Sequence, residues 1–555
     1  VKSLSLHALG LVALAAPLLA LHDDDPKALY RRAPYAGAGW LRSSGAAPVY
    51  QPPGSAGMPM VGSGLQLLSW LSLSDLGVSA GLLANDCWGY VSPTGREYAI
   101  LGTEESTLFI EVTDPFNPSL VGGIPGPVGI WRDIKVYDEY AYSVCESGCA
   151  GIQVIDLHGI DSGVITLVNT INGAGTGSSH NVVIDTDSGF LYRSGGGGLG
   201  LRFYDLSDPA NPTFVGEWND RYVHDAQVVT YTGAGPWSGR QIAFCGSGFN
   251  SGWVSPGVTI VDVTDKQNPV LLSEIQYPGA VYSHQGWLTE DRQHFLLGDE
   301  LDEGTLGVTS LTHVIDVSDL ANPVMAGTFT NGMNSVTHNG YVLGDRFFQA
   351  NYTSGVRVFD ISDPVNAVEV GSFDTYPPDD AVSYNGCWSV YPYMPSGVMV
   401  ASDRQHGLYV LWTGDDLVGQ PYCSPNAVNS TGLPGRLWAT GSDSAAANSL
   451  ELSALLLPPN QFGVFLTSQT QDFTLNPGGS FGTLCLGAPI GRFSSQIQNS
   501  GAAGAFSITV DLTAMPLTPT VGVAPGESWS FQAWYRDNNP TPTSNFTDAS
   551  TVTFQ

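Results

Sequence analysis

Basic side chains are scarce in this chain of 555 residues: 20 Lys and Arg stand against 51 Asp and Glu, a formal net charge of −31. A surface so poor in cations repels a phosphate backbone, which excludes nucleic acid as a partner class. Charged residues make up only 13% beside 43% hydrophobic ones, so apolar mass for a core is ample and disorder is excluded for most of the chain. Cysteine is sparse as well. Seven cysteines are too few to staple a fold of this size, and no Cys-x-x-Cys step is present to hold structural zinc. The odd number leaves at least one thiol unpaired within the chain. His-Glu-x-x-His is missing, which removes the commonest metalloprotease signature. Beyond the N-terminal segment there is no run of about 18 apolar residues, so no transmembrane segment is expected once a leader is removed.

Glycine and proline are plentiful, 67 and 36, as tight turns between many short strands require. An all-β protein is therefore expected. At the N-terminus, one basic residue (Lys2), an apolar run from Leu9 to Leu19 and the polar His22-Asp23-Asp24-Asp25 follow the order of a secretory signal peptide over residues 1–22. Residues 23–64 then read as a linker. The chain ends Thr553-Phe554-Gln555 without a hydrophobic tail or basic stop-transfer, so release outside the cell is expected, with cell-surface association left open.

A recurring unit organises the middle of the chain. It is an apolar β-branched strand, an acidic turn and an Asn-Pro step, as in Leu108-Phe-Ile-Glu-Val-Thr-Asp-Pro-Phe-Asn-Pro118 and Leu201-Arg-Phe-Tyr-Asp-Leu-Ser-Asp-Pro-Ala-Asn-Pro212. Further copies start at Val258, His313 and Val356, and a degenerate one runs from Gly151 to Leu157. The strand residues suit a pleated sheet, Asp and Asn bond their own backbone in the turn, and Pro stops the ladder. Upstream lie matching unit starts: Asp86-Cys-Trp-Gly, Trp131-Arg-Asp-Ile, Ser179-His-Asn-Val, Val223-His-Asp-Ala, Ser283-His-Gln-Gly, Thr337-His-Asn-Gly and Asn385-Gly-Cys-Trp. Seven starts spaced about 45 to 60 residues apart have the period of propeller blades, and predict a seven-bladed β-propeller over residues 65–415. The last unit lacks an outer strand, whereas Leu65–Leu73 precedes the first start without a unit of its own. That N-terminal strand is expected to close the ring and remove the open sheet edge.

These copies, together with Trp131-Arg-Asp, Arg221-Tyr-Val-His-Asp-Ala-Gln227, Tyr282-Ser-His-Gln-Gly286, Asp299-Glu-Leu-Asp-Glu303 and Phe373-Asp-Thr-Tyr-Pro377, resemble the LVIVD repeats of the bacterial secreted "choice-of-anchor B" proteins. The resemblance covers residues 65–412. It implies an exported propeller of unassigned activity with a variable C-terminal attachment segment. Here the chain departs from the family pattern. Residues 424–555 are rich in Ser, Thr, Asn, Ala and Pro with short alternating stretches such as Phe462–Leu466 and Trp529–Trp534, the pattern of a C-terminal β-sandwich-like module. Trp529, Phe531 and Tyr535 share one strand face there, suited to a core or to an exposed platform for carbohydrate.

The chief candidates for chemistry are His180, His224, His284 and His338, at one place in four consecutive units. First strands line a propeller's axis, so these imidazoles converge on one channel mouth, where they either bind a divalent transition metal or bond a neighbouring blade's backbone. Asp86, Trp88, Arg132, Asp133, Asn181, Asp225, Gln285, Asn339 and Trp388 are the other channel-mouth candidates. The acidic Asp299–Glu303 segment offers oxygens for calcium but lacks EF-hand spacing and reads as a solvated loop. Gly195–Gly198 reads as a hairpin turn, and Gly478-Gly-Ser-Phe-Gly482 as a turn rather than a nucleophile elbow. Cys145 with Cys149, Cys87 with Cys387, and Cys423 with Cys485 are the suggested disulfides, leaving Cys245. Two functions fit: a secreted binding or scaffold propeller for an extracellular protein or glycan, or a metal-dependent extracellular hydrolase or oxidase built on the four histidines.

Overall fold

The computed structural model describes Lys27 and residues 32–36, 62–146, 151–173, 177–196, 200–248, 256–413, 417–423, 426–539 and 541–555. They fall into two compact units, one containing Trp70–Leu411 and the other Trp412–Gln555. The first consists of seven antiparallel sheets of four strands, one of them extended by a short fifth strand. We number them as blades in chain order of their innermost strands: Ala84–Val91, Arg132–Tyr137, Asn181–Asp185, Asp225–Thr230, Ser283–Leu288, Gly340–Leu343 and Cys387–Tyr391. Each innermost strand packs on the next, and that of blade 7 packs on that of blade 1. The circuit is closed, and the unit is a β-propeller. Strand Gln66–Leu71 pairs with Gly407–Trp412 and is the outermost strand of the blade 7 sheet.

The recurring turn is built as its composition requires. In five blades the Asn amide donates to the Asp carboxylate three residues earlier: Asn117 to Asp114, Asn211 to Asp208, Asn268 to Asp265, Asn322 to Asp319 and Asn366 to Asp363, all at 2.9–3.0 Å. The turn is thereby locked before the outer strand starts. Each third strand is flanked by its own sheet on both edges and by neighbouring blades on both faces, so its centre is buried even where it carries polar residues such as Thr312 and His313. Leu311–Asp316, for example, has a buried centre with partly exposed ends. The core is distributed between blades: Ile100, Phe109 and Tyr98 of blade 1 pack with Ile134 and Ile155 of blade 2, and Phe244 and Ile260 of blade 4 pack with Phe295 and Ile315 of blade 5. Gly407 has φ +97°, and a Cβ there would lie 2.4 Å from the Leu71 carbonyl oxygen, so only glycine lets the closing strand approach.

In the second unit, a three-stranded sheet (Arg436–Thr440, Glu451–Leu455, Phe506–Thr509) and a larger sheet containing Phe462–Ser468, Ser528–Asn538 and Pro542–Thr553 share one apolar core. Trp529, Phe531 and Tyr535 are fully buried in that core, so they offer no exposed carbohydrate platform. The opposite face of the same strand places Trp534 in a cavity of about 630 Å³ with Val464, Leu466, Leu484, Ile490 and Phe546. Gly478–Gly482 is a turn, with Gly478 and Gly482 at positive φ.

Cysteine pairing departs from the sequence reading in one place. Cys423 and Cys485 are disulfide-bonded with a Cα separation of 6.3 Å. Cys145 is also disulfide-bonded, and Cys149, its suggested partner, lies outside the described residues. Cys87 and Cys387 are both free, buried thiols, as is Cys245. The ring does make blades 1 and 7 neighbours, but Cys387 Sγ is directed at the Ser389 carbonyl. Burial raises the pKa of the Cys87 and Cys387 thiols, so both are kept as unreactive thiols.

Candidate functional site

The four histidines stand at or just before the starts of the innermost strands of blades 3 to 6, which brings them to one mouth of the channel. They form a continuous arc. Ring centroids lie 4.3 Å apart for His180–His224, 4.3 Å for His224–His284 and 4.4 Å for His284–His338, and all four residues are buried. Part of their role is structural, since each blade stitches itself to the next here. Asn181 donates to the His224 carbonyl, His224 Nδ1 to that of His284, and His338 Nδ1 to that of Trp388. Gln285 exchanges two hydrogen bonds with the Gly340 backbone.

Those bonds also set the chemistry. With its Nδ1–H committed to a carbonyl at 2.5 Å, His338 carries its lone pair on Nε2. That nitrogen is 3.4 Å from Glu300 Oε1, while His284 Nε2 is 3.5 Å from Glu300 Oε2. Ligand atoms from His284, Glu300 and His338 all lie within 4.8 Å of one another, and neither ring nitrogen of His284 has a hydrogen-bond partner among the described residues. Burial, reinforced for His284 by His224 and His338 and for His338 by Lys27, holds both imidazoles well below the ordinary histidine pKa. Two neutral imidazoles and a carboxylate form an N,N,O donor set of the kind that suits zinc or another first-row transition ion better than calcium. His180 is tied to Glu146, Nδ1 to Oε2 at 2.5 Å, and with His224 extends the arc beyond this group.

Glu300 and Glu146 are carboxylates beside the histidines that the repeat pattern does not single out. The segment Asp299–Glu303 is not a solvated loop: Asp299, Glu300, Asp302 and Glu303 are all buried. Asp299 accepts from the Val281 and Tyr282 amides and the Tyr277 hydroxyl, and Glu303 accepts from the Thr337 amide. With those oxygens engaged by the protein, the segment is a brace that aims Glu300 at the histidines. Tyr352 donates to Glu300 Oε1 at 2.8 Å.

A second polar layer lies further along the innermost strands. Lys135 Nζ is 2.5 Å from Asp133 Oδ1 and 3.4 Å from Asp86 Oδ2, and lies 4.4 Å from the centroid of the Trp88 ring. Asn339 donates to Asp86 and to Ser389. Burial raises Asp86 and lifts Asp225 to about 7, with the Asp133 charge adding to the latter shift and Lys135 opposing it. Burial also works against ionisation of Asp133, but Lys135 and its hydrogen bonds outweigh that and hold it below the usual range. Arg132 does not line the mouth. Its guanidinium bonds the Thr103 and Pro127 carbonyls, so it is a strut against blade 1. Trp388 does line it, beside His338 with ring centroids 5.0 Å apart. Gly195 and Gly196 take positive φ between two blade 3 strands, as a hairpin connection needs, and Gly197 and Gly198 lie outside the described residues.

This geometry defines a repeat-built β-propeller with a polar, histidine-lined channel mouth. Comparison of the sequence with family models agrees on the repeat: the LVIVD repeat matches residues 310–331 and 344–375. The chain matches no curated protein. Among solved structures it is similar to Kuenenia stuttgartiensis hydrazine synthase, with 13% identity, 59% of this chain and 96% of that chain covered, and a TM-score of 0.41. A Lactobacillus plantarum protein gives 13% identity, 58% and 88% coverage and a TM-score of 0.40. The β-propeller domain of Myceliophteria thermophila Cps50 gives 10%, 60% and 99%, and 0.40. No helix among the described residues is long and apolar enough to cross a membrane.

Proposed function

We propose that this chain is an exported binding protein of the choice-of-anchor B type. In this reading it is a seven-bladed propeller closed by its N-terminal strand and followed by a sandwich-like module, and its channel mouth holds one divalent transition metal. The observation that carries the metal reading is the convergence of His284, Glu300 and His338 within 4.8 Å in full burial, with both ring nitrogens of His284 lacking a hydrogen-bond partner among the described residues. A buried polar atom without a partner costs about 1–3 kcal/mol, and an ion bound at the unprotonated nitrogen of His284 would remove that cost there, the neutral imidazoles supplying the lone pairs. Two sets of cysteine sulfurs in disulfides support an oxidising compartment. The broad outer faces then remain for protein or glycan partners.

The test is elemental analysis of the full chain, purified without chelator or His tag and loaded with zinc, beside His284→Ala and His338→Ala. The expected result is near one equivalent on the parent and a large loss on both variants, with unchanged circular dichroism. A parent that stays free of zinc, copper and iron after loading overturns the metal reading.

A further inference from the structure

The site already faces a cation supplied by the chain itself. Lys27 is fully buried, and its Nζ is 2.7 Å from Glu300 Oε1 and 3.3 Å from His338 Nε2. It also lies 4.8 Å from the centroid of the Trp388 ring, so carboxylate, imidazole and aromatic face together form a seat for a primary ammonium. We propose that Lys27 is a tethered competitor for the metal, which binds only when this ammonium leaves. The inference rests on the metal reading of the same site and names its regulation.

The exclusion follows from the shared atoms. The Glu300 carboxylate and His338 Nε2 would ligate the metal, and both accept hydrogen bonds from Lys27. A protonated amine has three N–H donors and no lone pair, so it cannot join the coordination shell. A dication bonded to the same carboxylate and imidazole at about 2.0–2.2 Å would take the only lone pair of His338 Nε2 and repel the ammonium beside it. The segment is held downstream. Arg32 donates to the Tyr376 hydroxyl at 2.6 Å and to Asp379 at 2.8 Å, and the Tyr35 amide donates to the Gln405 carbonyl at 3.0 Å. Lys27 can therefore leave its seat while the chain stays anchored a few residues away, which keeps its local concentration high.

Zinc is titrated into the full chain and into Lys27→Met, which keeps the stem and removes the charge, with His284→Ala as the control without a site. If the ammonium is seated nine-tenths of the time, Lys27→Met binds zinc about tenfold more tightly. A second readout needs no variant. In the native chain, acylation of Lys27 by an amine-reactive reagent, read by mass spectrometry, rises several-fold when zinc is added, while the buried Lys266 serves as reference. Equal zinc affinities for parent and Lys27→Met, or an unchanged Lys27 reactivity with zinc bound, overturn the competition and leave the metal site standing. Absence of zinc binding by both folded proteins overturns the site and the competition together.

Discussion

Asp225→Asn is expected to stabilise the propeller, and increasingly so as the pH rises. Asp225 is held in the second polar layer, where burial first, and the Asp133 charge second, lift its pKa from 3.8 to about 7. Its Oδ1 accepts a 2.7 Å hydrogen bond from the Ala226 amide, which an asparagine carbonyl can also accept. The sign follows from linkage. Between the unfolded and folded pKa values the folded state binds the extra proton, so this carboxyl lowers stability progressively as the pH rises through that window. From pH 5 to the folded pKa near 7 is a span of about two units, worth about 1.4 kcal/mol each. The stability difference between Asp225→Asn and the parent should therefore widen by about 3 kcal/mol between pH 5 and pH 8. Urea unfolding of both proteins at both pH values, monitored through the propeller's transition, gives that difference directly, and titrations shared by the two proteins cancel. A gap that stays constant from pH 5 to pH 8 would refute the claim that Asp225 is held protonated near neutrality.

The closing strand and the C-terminal disulfide give two further expectations. Gly407→Ala forces an unfavourable φ and drives a methyl group against the Leu71 carbonyl, a strain on the order of 1–3 kcal/mol; hydrogen exchange of Trp70 and Leu71 amides should accelerate well ahead of those in blades 2 to 5, and uniform exchange would show that this strand is not where the ring opens. Reducing Cys423–Cys485 releases a cross-link spanning 62 residues, for which loop entropy sets a ceiling of about 4 kcal/mol. A reductant should lower the unfolding midpoint of the C-terminal unit, and an unchanged midpoint would refute that contribution.

Much of the fold is legible in the sequence because the repeat writes the same physics several times. Asp114, Asp208, Asp265, Asp319 and Asp363 each precede their Asn by three residues, and each closes the same side-chain bond. A local signal of that kind survives without any knowledge of tertiary contacts. The orphan strand before the first unit could likewise be matched to the strand missing from the last. The cysteines were harder to read. Ring closure made Cys87 and Cys387 neighbours, but their bonding depends on side-chain direction, which sequence spacing does not carry. For the aromatic strand, alternation identified the faces but not their surroundings: Trp529, Phe531 and Tyr535 face the core, whereas Trp534 lines the cavity.

The same limit explains why the histidines were legible and the carboxylates were not. The histidines recur at equivalent unit starts, so aligning first strands reveals them. Their partners follow the ends of the second strands, where the equivalent positions are Glu104, Glu146, Gly195, Gly248, Glu300, Asn351 and Arg404, and of the three glutamates only Glu104 and Glu146 fall in consecutive units, whereas all four histidines do. The differences between these positions are what make the site one-sided. A Cβ at Gly195 would meet the His180 Cβ at 2.3 Å, and one at Gly248 would meet the Tyr282 ring at 2.3 Å, so the two glycines leave room for His180 and for the tyrosine packed against His224. Glu146 and Glu300 instead place carboxylates at its two flanks, on His180 and on His284 and His338. Arg404 lies 5.7 Å from the Trp388 ring, the ring that also seats the Lys27 ammonium. Seven positions that geometry makes equivalent thus diverge into three carboxylates, two glycines, one amide and one guanidinium. Through that divergence a ring of repeated blades gathers His284, Glu300 and His338 on one side of its channel, where the proposed cation would sit.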